Sequence, residues 1–292
     1  MIQTLDHVIV LTGDLDAATD RTAALLGREP SWRGDHPTYG TANSLFRLDN
    51  TYLELLAPSP GSDAPMATGL RERLGAGGEG VFGLAFGSAD ADETVLELRE
   101  RGVDVADPAP GAGHDGRTGA ERRWRNAFLT PEAGRGLLLF VIQHDSPPDA
   151  LPVQAPAEPA AAVHALDHVV VLSEDAEGTR ALYGDRLGLR LALDRTFDAR
   201  GVRLLFFRVG GVTVEIGASV TREPVPGVHD RFGGLAWRVE SAEAARKRLA
   251  AAGFDVSEVR DGHKPGTRVF TVRDAPASVP TLFLEPADPT RG

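Results

Sequence analysis

The stretch Leu5-Asp6-His7-Val8-Ile9-Val10-Leu11 returns almost unchanged as Leu166-Asp167-His168-Val169-Val170-Val171-Leu172. In each copy a glutamate follows the histidine by 47 residues, within the apolar runs Tyr52-Leu53-Glu54-Leu55-Leu56 and Thr213-Val214-Glu215-Ile216. An internal repeat constrains a fold more than composition does, because each copy must be one structural unit. A second kind of unit also occurs twice. Gly83-Leu84-Ala85-Phe86 matches Gly234-Leu235-Ala236-Trp237, and Gly102-Val103-Asp104-Val105 matches Gly253-Phe254-Asp255-Val256, both at an offset of 151. The chain therefore reads A-B-A′-B′, with modules near 3–58, 80–145, 164–219 and 231–287.

Each module reads as strand, helix, then about three strands. In A, Asp6 to Leu11 is a strand and Asp14 to Leu26 a helix stopped by Gly27. Strands follow at Asn43 to Leu48 and Thr51 to Leu56. In A′ the expected helix is Glu174 to Leu187. Strands are expected at Arg190 to Asp194, Arg203 to Val209 and Thr213 to Ile216, with Gly210-Gly211 as a hairpin turn. Ala91 to Arg101 and Ala242 to Ala252 space their apolar residues as amphipathic helices do. Ser146 to Val163 holds five prolines and no periodicity, which predicts a stiff linker. The expected division is 1–145, a linker at 146–163, and 164–292.

Composition narrows the partners. A formal charge of -11 disfavours nucleic acid and anionic membranes. No apolar run approaches the roughly 20 residues that span a bilayer, and the N-terminus lacks the pattern of a signal peptide, so a cytoplasmic protein is expected. With no cysteine, a metal site must use nitrogen and oxygen ligands.

A βαβββ unit that opens on Leu-Asp-His-Val and closes on an apolar-Glu-apolar strand resembles the vicinal oxygen chelate superfamily. That superfamily includes glyoxalase I, extradiol dioxygenases and bleomycin-binding proteins. The first half, with His36-Pro37-Thr38-Tyr39-Gly40-Thr41-Ala42-Asn43 running into Tyr52-Leu53-Glu54, is similar to its glyoxalase-like branch. The resemblance covers nearly the whole chain. It implies an α+β fold of four βαβββ modules in two tandem domains with cupped mixed sheets. It also implies a divalent metal (Zn, Ni, Mn, Co or Fe) held by ligands on the first and last strands of a module. His7 with Glu54, and His168 with Glu215, occupy those positions. Leu84 and Leu235 stand where the B modules would supply a histidine, whereas Gln143 and Glu285 lie on the last strands. The expected sets are His7, Glu54 and Gln143, and His168, Glu215 and Glu285. Pairing A with B′ instead would give His7, Glu54 and Glu285.

The resemblance suggests a metal-dependent lyase or isomerase acting on a small oxygenated metabolite, with Glu54 or Glu215 also serving as base. A metal-free binding protein and a ring-cleaving dioxygenase are the alternatives, the second disfavoured by the absent histidine. His7 and His168 have a plainer reading as strand residues kept for packing. Asp6 and Asp167 are expected to face away from the cup, because adjacent strand residues point to opposite sides. His36, Tyr39, Asn43, Arg125, Trp237 and His263 are candidate substrate-binding residues. Four modules in one chain suit a monomer, with a homodimer as the other option.

Overall fold

The computed structural model describes residues 1–221 and 229–287. Sixteen strands fall into two eight-stranded sheets among the described residues, one from each half of the chain. The first half begins with β1 (Thr4–Leu11), α1 (Leu15–Leu26), β2 (Trp32–His36), β3 (Thr41–Arg47) and β4 (Tyr52–Pro58). After α2 (Pro65–Gly77) come β5 (Gly80–Gly87), α3 (Ala91–Glu100), β6 (Ala109–Asp115), β7 (Glu121–Phe128) and β8 (Leu138–His144). The second half has β9 (Val163–Ser173), α4 (Ala176–Arg180), β10 (Arg190–Phe197), β11 (Val202–Val209) and β12 (Val212–Ser219). It ends with β13 (Arg231–Val239), α5 (Ala242–Ala251), β14 (Arg260–Asp261), β15 (Arg268–Val272) and β16 (Thr281–Glu285).

The histidine strands sit at the centre of each sheet. β1 lies parallel to β4 and antiparallel to β5, and β9 is placed likewise between β12 and β13. Module A thus pairs with B, and A′ with B′, within their own halves. Near-continuous apolar runs suit strands covered on both faces. One face meets the helices in a core that runs through both halves. The other face of each sheet lines a cup.

Local signals set most element ends. Asp14 caps α1 by accepting from the Ala17 N–H at 3.0 Å, and Gly27 closes it at φ 71°. Gly210 and Gly211, both at positive φ, form the β11–β12 turn. Two elements depart from the expectation. Residues 174–187 do not form one regular helix: α4 ends at Arg180 and wider turns continue through Arg186. Gly178 and Gly184 weaken helix propensity there, while Tyr183 is fully buried. The other is α2, whose three glycines mask it in the sequence. Its Leu70 packs with Ile9, Leu11 and Leu56 under the first cup.

The two sheets differ in closure. The first is a closed barrel, sealed where β2 pairs with β6 through Gly34↔Asp115 and Asp35↔His114. A Cβ at Gly34 would run into the His114 carbonyl oxygen, so the seam needs glycine. The second sheet stays open, with β10 and β14 at its edges. Counting along the ladders from Glu215, Arg195 stands where Gly34 does, and β14 has only two residues. The segment between the sheets has its own role. Leu151 is buried with Trp32, Leu45 and Tyr52, against the first barrel. Across the halves, Asn50 exchanges two hydrogen bonds with the Leu166 backbone, at 2.8 and 3.0 Å. No helix among the described residues is long and apolar enough to cross a membrane.

Candidate active site

The first barrel encloses a cavity of about 90 Å3 in its cup, space for several waters at roughly 10–15 Å3 each. Module A supplies most of the polar wall: His7, His36, Tyr39, Thr41, Asn43, Tyr52 and Glu54. Module B adds an apolar wall of Phe82, Phe128, Leu138, Phe140 and Ile142, with Arg122, Trp124 and Asn126 from β7.

His7 and Glu54 form the centre. The His7 Nε2 lies 3.3 Å from Glu54 Oε2, and Asn43 Nδ2 donates to Glu54 Oε1 at 2.9 Å. The His7 ring stacks on Tyr52 at 4.4 Å and meets the edge of Phe140. His36 stands behind Asn43 and packs against Trp124.

Asp6 is not turned away, as strand alternation suggested. Its Oδ1 lies 2.8 Å from His7 Nδ1, and its Oδ2 lies 3.0 Å from Nε2 of His144. The reason is a break in the β1–β5 register between Leu5 and His7. A bulge leaves one residue unpaired and re-aims its side chain. The same break skips Asp167 in β9, whose carboxylate lies 2.8 Å from His168 Nδ1. A chain of groups therefore runs His144, Asp6, His7, Glu54, Asn43.

Their protonation follows from this chain. Burial opposes charge on His7, but hydrogen bonds to Asp6 and Glu54 outweigh it and raise its pKa. Burial likewise opposes ionisation of Glu54, yet His7 beside it holds the carboxyl below its usual range. Burial works against Asp6 as well, and the His144 and His7 bonds still keep it well below that range. His36 has burial as its largest influence, and its pKa falls. These directions favour an imidazolium–carboxylate pair at His7 and Glu54 and the neutral form of His36.

The second cup keeps only part of this. Nε2 of His168 lies 3.7 Å from Glu215 Oε2, and both side chains are about one-fifth exposed. Arg238 holds Asp167, whose pKa is about 2: burial opposes ionisation, and the bonds to His168 and Arg238 outweigh it. By strand register, Leu204 replaces Asn43, Thr213 replaces Tyr52 and Val269 replaces Asn126. Glu215 thus lacks an amide partner, and burial pushes its pKa up. His263 is exposed at the rim, near enough to act on Glu215 electrostatically.

Residues 5–183 match the glyoxalase-like domain family, and 167–271 match the glyoxalase/bleomycin resistance protein/dioxygenase superfamily. The first match covers more than half of the chain. The chain belongs to the glyoxalase-like family. It is 38% identical over 105 residues to the ethylmalonyl-CoA/methylmalonyl-CoA epimerase of Cereibacter sphaeroides, covering 36% of this chain and 75% of that protein. In fold it is similar to a mutant 4-hydroxymandelate synthase from Streptomyces coelicolor, with TM-score 0.70 and 17% identity, covering 97% and 92% of the two chains. It is also similar to the Mn(II)-bound glyoxalase from Novosphingobium aromaticivorans, with TM-score 0.61 and 15% identity, covering 97% and 83%.

Within this glyoxalase-like protein, several expected site residues lie elsewhere. Gln143 faces the helix side, where its Oε1 accepts from the Ala91 N–H at 2.8 Å at the start of α3. Glu285 does the same for Ala242 at the start of α5, also at 2.8 Å. Each satisfies an otherwise unpaired first-turn donor, so neither reaches a cup. Arg125 points outward into a paired contact with Asp92 at 2.6 and 2.9 Å, because its even-numbered neighbours take the inner face of β7. Trp237 is in the core, 2% exposed, on the face opposite the cup. Leu84 and Leu235 are core residues too. The sequence alone puts Asp6 on the far face and does not single out Arg122, Asn126 or His144. The alternation Arg122, Trp124, Asn126 was visible, but not which phase faced inward.

The donor set fits a resident metal poorly. With Gln143 and Glu285 turned away, the first cup offers His7, Glu54 and, set back behind Asn43, His36, and the second offers His168 and Glu215, where metal sites commonly use three or four protein ligands. Across the first cup, the neighbours of His7 on the B strands are Ala85 and, beside it, Phe140. Among the described residues no group of three or more His, Asp or Glu side chains is placed to hold a metal ion.

Proposed function

We propose that the first cup catalyses proton transfer on a small oxygenated metabolite, as an isomerase or lyase of glyoxalase type. The observation that carries this reading is the buried His7–Glu54 pair at 3.3 Å, fixed from both ends and opening on a cavity. Glu54 is the base: Asn43 holds Oε1, and Oε2, which His7 Nε2 meets at 3.3 Å, turns to a substrate C–H when a substrate oxygen takes its place on His7. The proton moves to Glu54 as the carbanion's charge spreads onto a neighbouring oxygen. Imidazolium His7 hydrogen-bonds that oxygen, and return of the proton completes an isomerisation. Asp6 keeps Nδ1 of His7 protonated and its ring oriented. The apolar wall from module B excludes water and strengthens each interaction. The second cup lacks this enclosure, and we assign it no chemistry.

The reading is tested in D2O by proton NMR, with a panel of small 2-oxo and 2-hydroxy acids, aldehydes and their esters. Enzyme-dependent loss of a C–H signal, abolished in Glu54→Gln, is the expected result. Elemental analysis accompanies it. A stoichiometric divalent metal that disappears in His7→Ala, together with exchange that stops on chelation, would replace this mechanism with a metal-centred one.

A further inference from the structure

Among the described residues, Arg122 is the arginine that lines the first cup. It projects inward from β7 into the cup and is 6% exposed, yet among the described residues no carboxylate lies within ion-pair distance of it. Its guanidinium carbon stands 5.6 Å from the ring centre of Trp32, 5.4 Å from Tyr52 and 6.0 Å from Trp124. It also stands near enough to Tyr52 to act on its hydroxyl electrostatically. A guanidinium has five N–H donors, and this cage leaves most of them unspent. A cation taken out of water without a counter-ion is costly to keep, unless an anion arrives during function. The outer neighbours show the contrast: Arg123 pairs with Glu121 and Arg125 with Asp92.

Two further groups in the same cavity lack partners. Asn43 Oδ1 and Asn126 Oδ1 are buried and accept no hydrogen bond. For Asn43 the amide nitrogen is already committed to Glu54 and His36, so the oxygen is the acceptor left without a partner. Tyr52 links the cation to the reacting centre, since His7 stacks on the ring that Arg122 also borders.

We infer that the cup is built for a small hydroxy-carboxylic acid, with its carboxylate on Arg122 and its hydroxyl donating to an asparagine oxygen. This rests on the reading of the first cup as a reaction site and adds the class of substrate. The bidentate fork of arginine matches the two oxygens of a carboxylate. The hydroxyl is a donor for one of the two orphaned acceptors. The apolar wall takes the hydrocarbon part.

The probes are 2-hydroxybutyrate, its methyl ester, butyrate and inorganic phosphate, with binding followed by calorimetry and by thermal shift of the full chain. The hydroxy acid is expected to bind tightest. The ester should be weaker by about tenfold to a hundredfold, the range for loss of a charge-assisted bond, and butyrate weaker by several-fold. Arg122→Gln should erase the difference between acid and ester, and Arg122→Lys should restore only part of it. Arg122→Met, which removes an unpaired buried charge, should melt no lower than wild type without ligand.

Equal binding of acid and ester, or an unchanged preference in Arg122→Gln, would overturn the inference. So would tighter binding of phosphate than of any carboxylate, or a Met variant that melts lower with its preference intact. If the Arg122 variants fail to fold, the wild-type probe series still decides. The two readings fail separately. Carboxylate binding without C–H exchange in any probe sinks the proton-transfer proposal and leaves Arg122 standing. Exchange that is as fast in esters as in acids does the reverse.

Discussion

The two cups share the Asp–His–Glu line, yet only one surrounds it. In the first half Glu54 is held by His7 and Asn43 inside a closed barrel, and its carboxyl sits below its usual range. In the second half Glu215 faces Leu204 in an open sheet, its contact with His168 lengthens to 3.7 Å, and burial pushes its carboxyl up. The bulge that turns Asp6 and Asp167 toward their histidines survives in both. What separates the halves is therefore the shell around the pair. A His/Glu pair by itself does not define a reaction; the partners that fix its protonation and exclude water do.

The comparison breaks most directly at the glutamates. Glu54→Gln should lower any C–H exchange activity by about 100-fold to 10,000-fold, the usual loss for a general base, while Glu215→Gln changes it less than twofold. Equal losses measured by NMR would mean that both cups react. The next largest effect lies at the seam. Gly34→Ala puts a Cβ against the His114 carbonyl and should destabilise the protein by about 2–3 kcal/mol in denaturant unfolding. Arg195→Gly, at the matching place in the open sheet, should change stability by less than about 1 kcal/mol. If both substitutions behave alike, closure at β2–β6 does not explain the difference between the cups.

A smaller effect sharpens the electrostatic contrast. Carboxyl NMR should titrate Glu54 below the ordinary glutamate value of 4.5 and Glu215 above it. The linkage then has opposite signs. Ionised Glu54 contributes stability that is present above pH 4.5 and lost as pH falls through its lower folded pKa. Glu215 does the opposite: its burial penalty is absent below pH 4.5 and fully expressed above its raised folded pKa. At pH 7, Glu215→Gln should therefore raise the melting temperature slightly and Glu54→Gln lower it. The smallest difference is expected at the helix starts. Gln143→Ala and Glu285→Ala should each cost about 1 kcal/mol in thermal unfolding, equally in both halves, with no change in exchange rate.

Much of the architecture was legible in the chain. The repeated heptapeptide, the fixed His-to-Glu interval and the matched glycine-led strands determine four modules and put His7 with Glu54 and His168 with Glu215, because strand order and spacing are local properties. The apolar runs and the Asp14 and Gly27 signals fix the central strands and α1 for the same reason. Tertiary structure decided what faces what. A side chain changes face with a shift of one residue, so Gln143, Glu285 and Arg125 fell outside the cups while Arg122 and Asn126 fell inside. One bulge brought Asp6 beside His7 against strict alternation. A single glycine let β2 meet β6 and close one barrel, while its counterpart Arg195 lies on a sheet that stays open. Enclosure depends on contacts between residues far apart in the chain, and no local pattern encodes them.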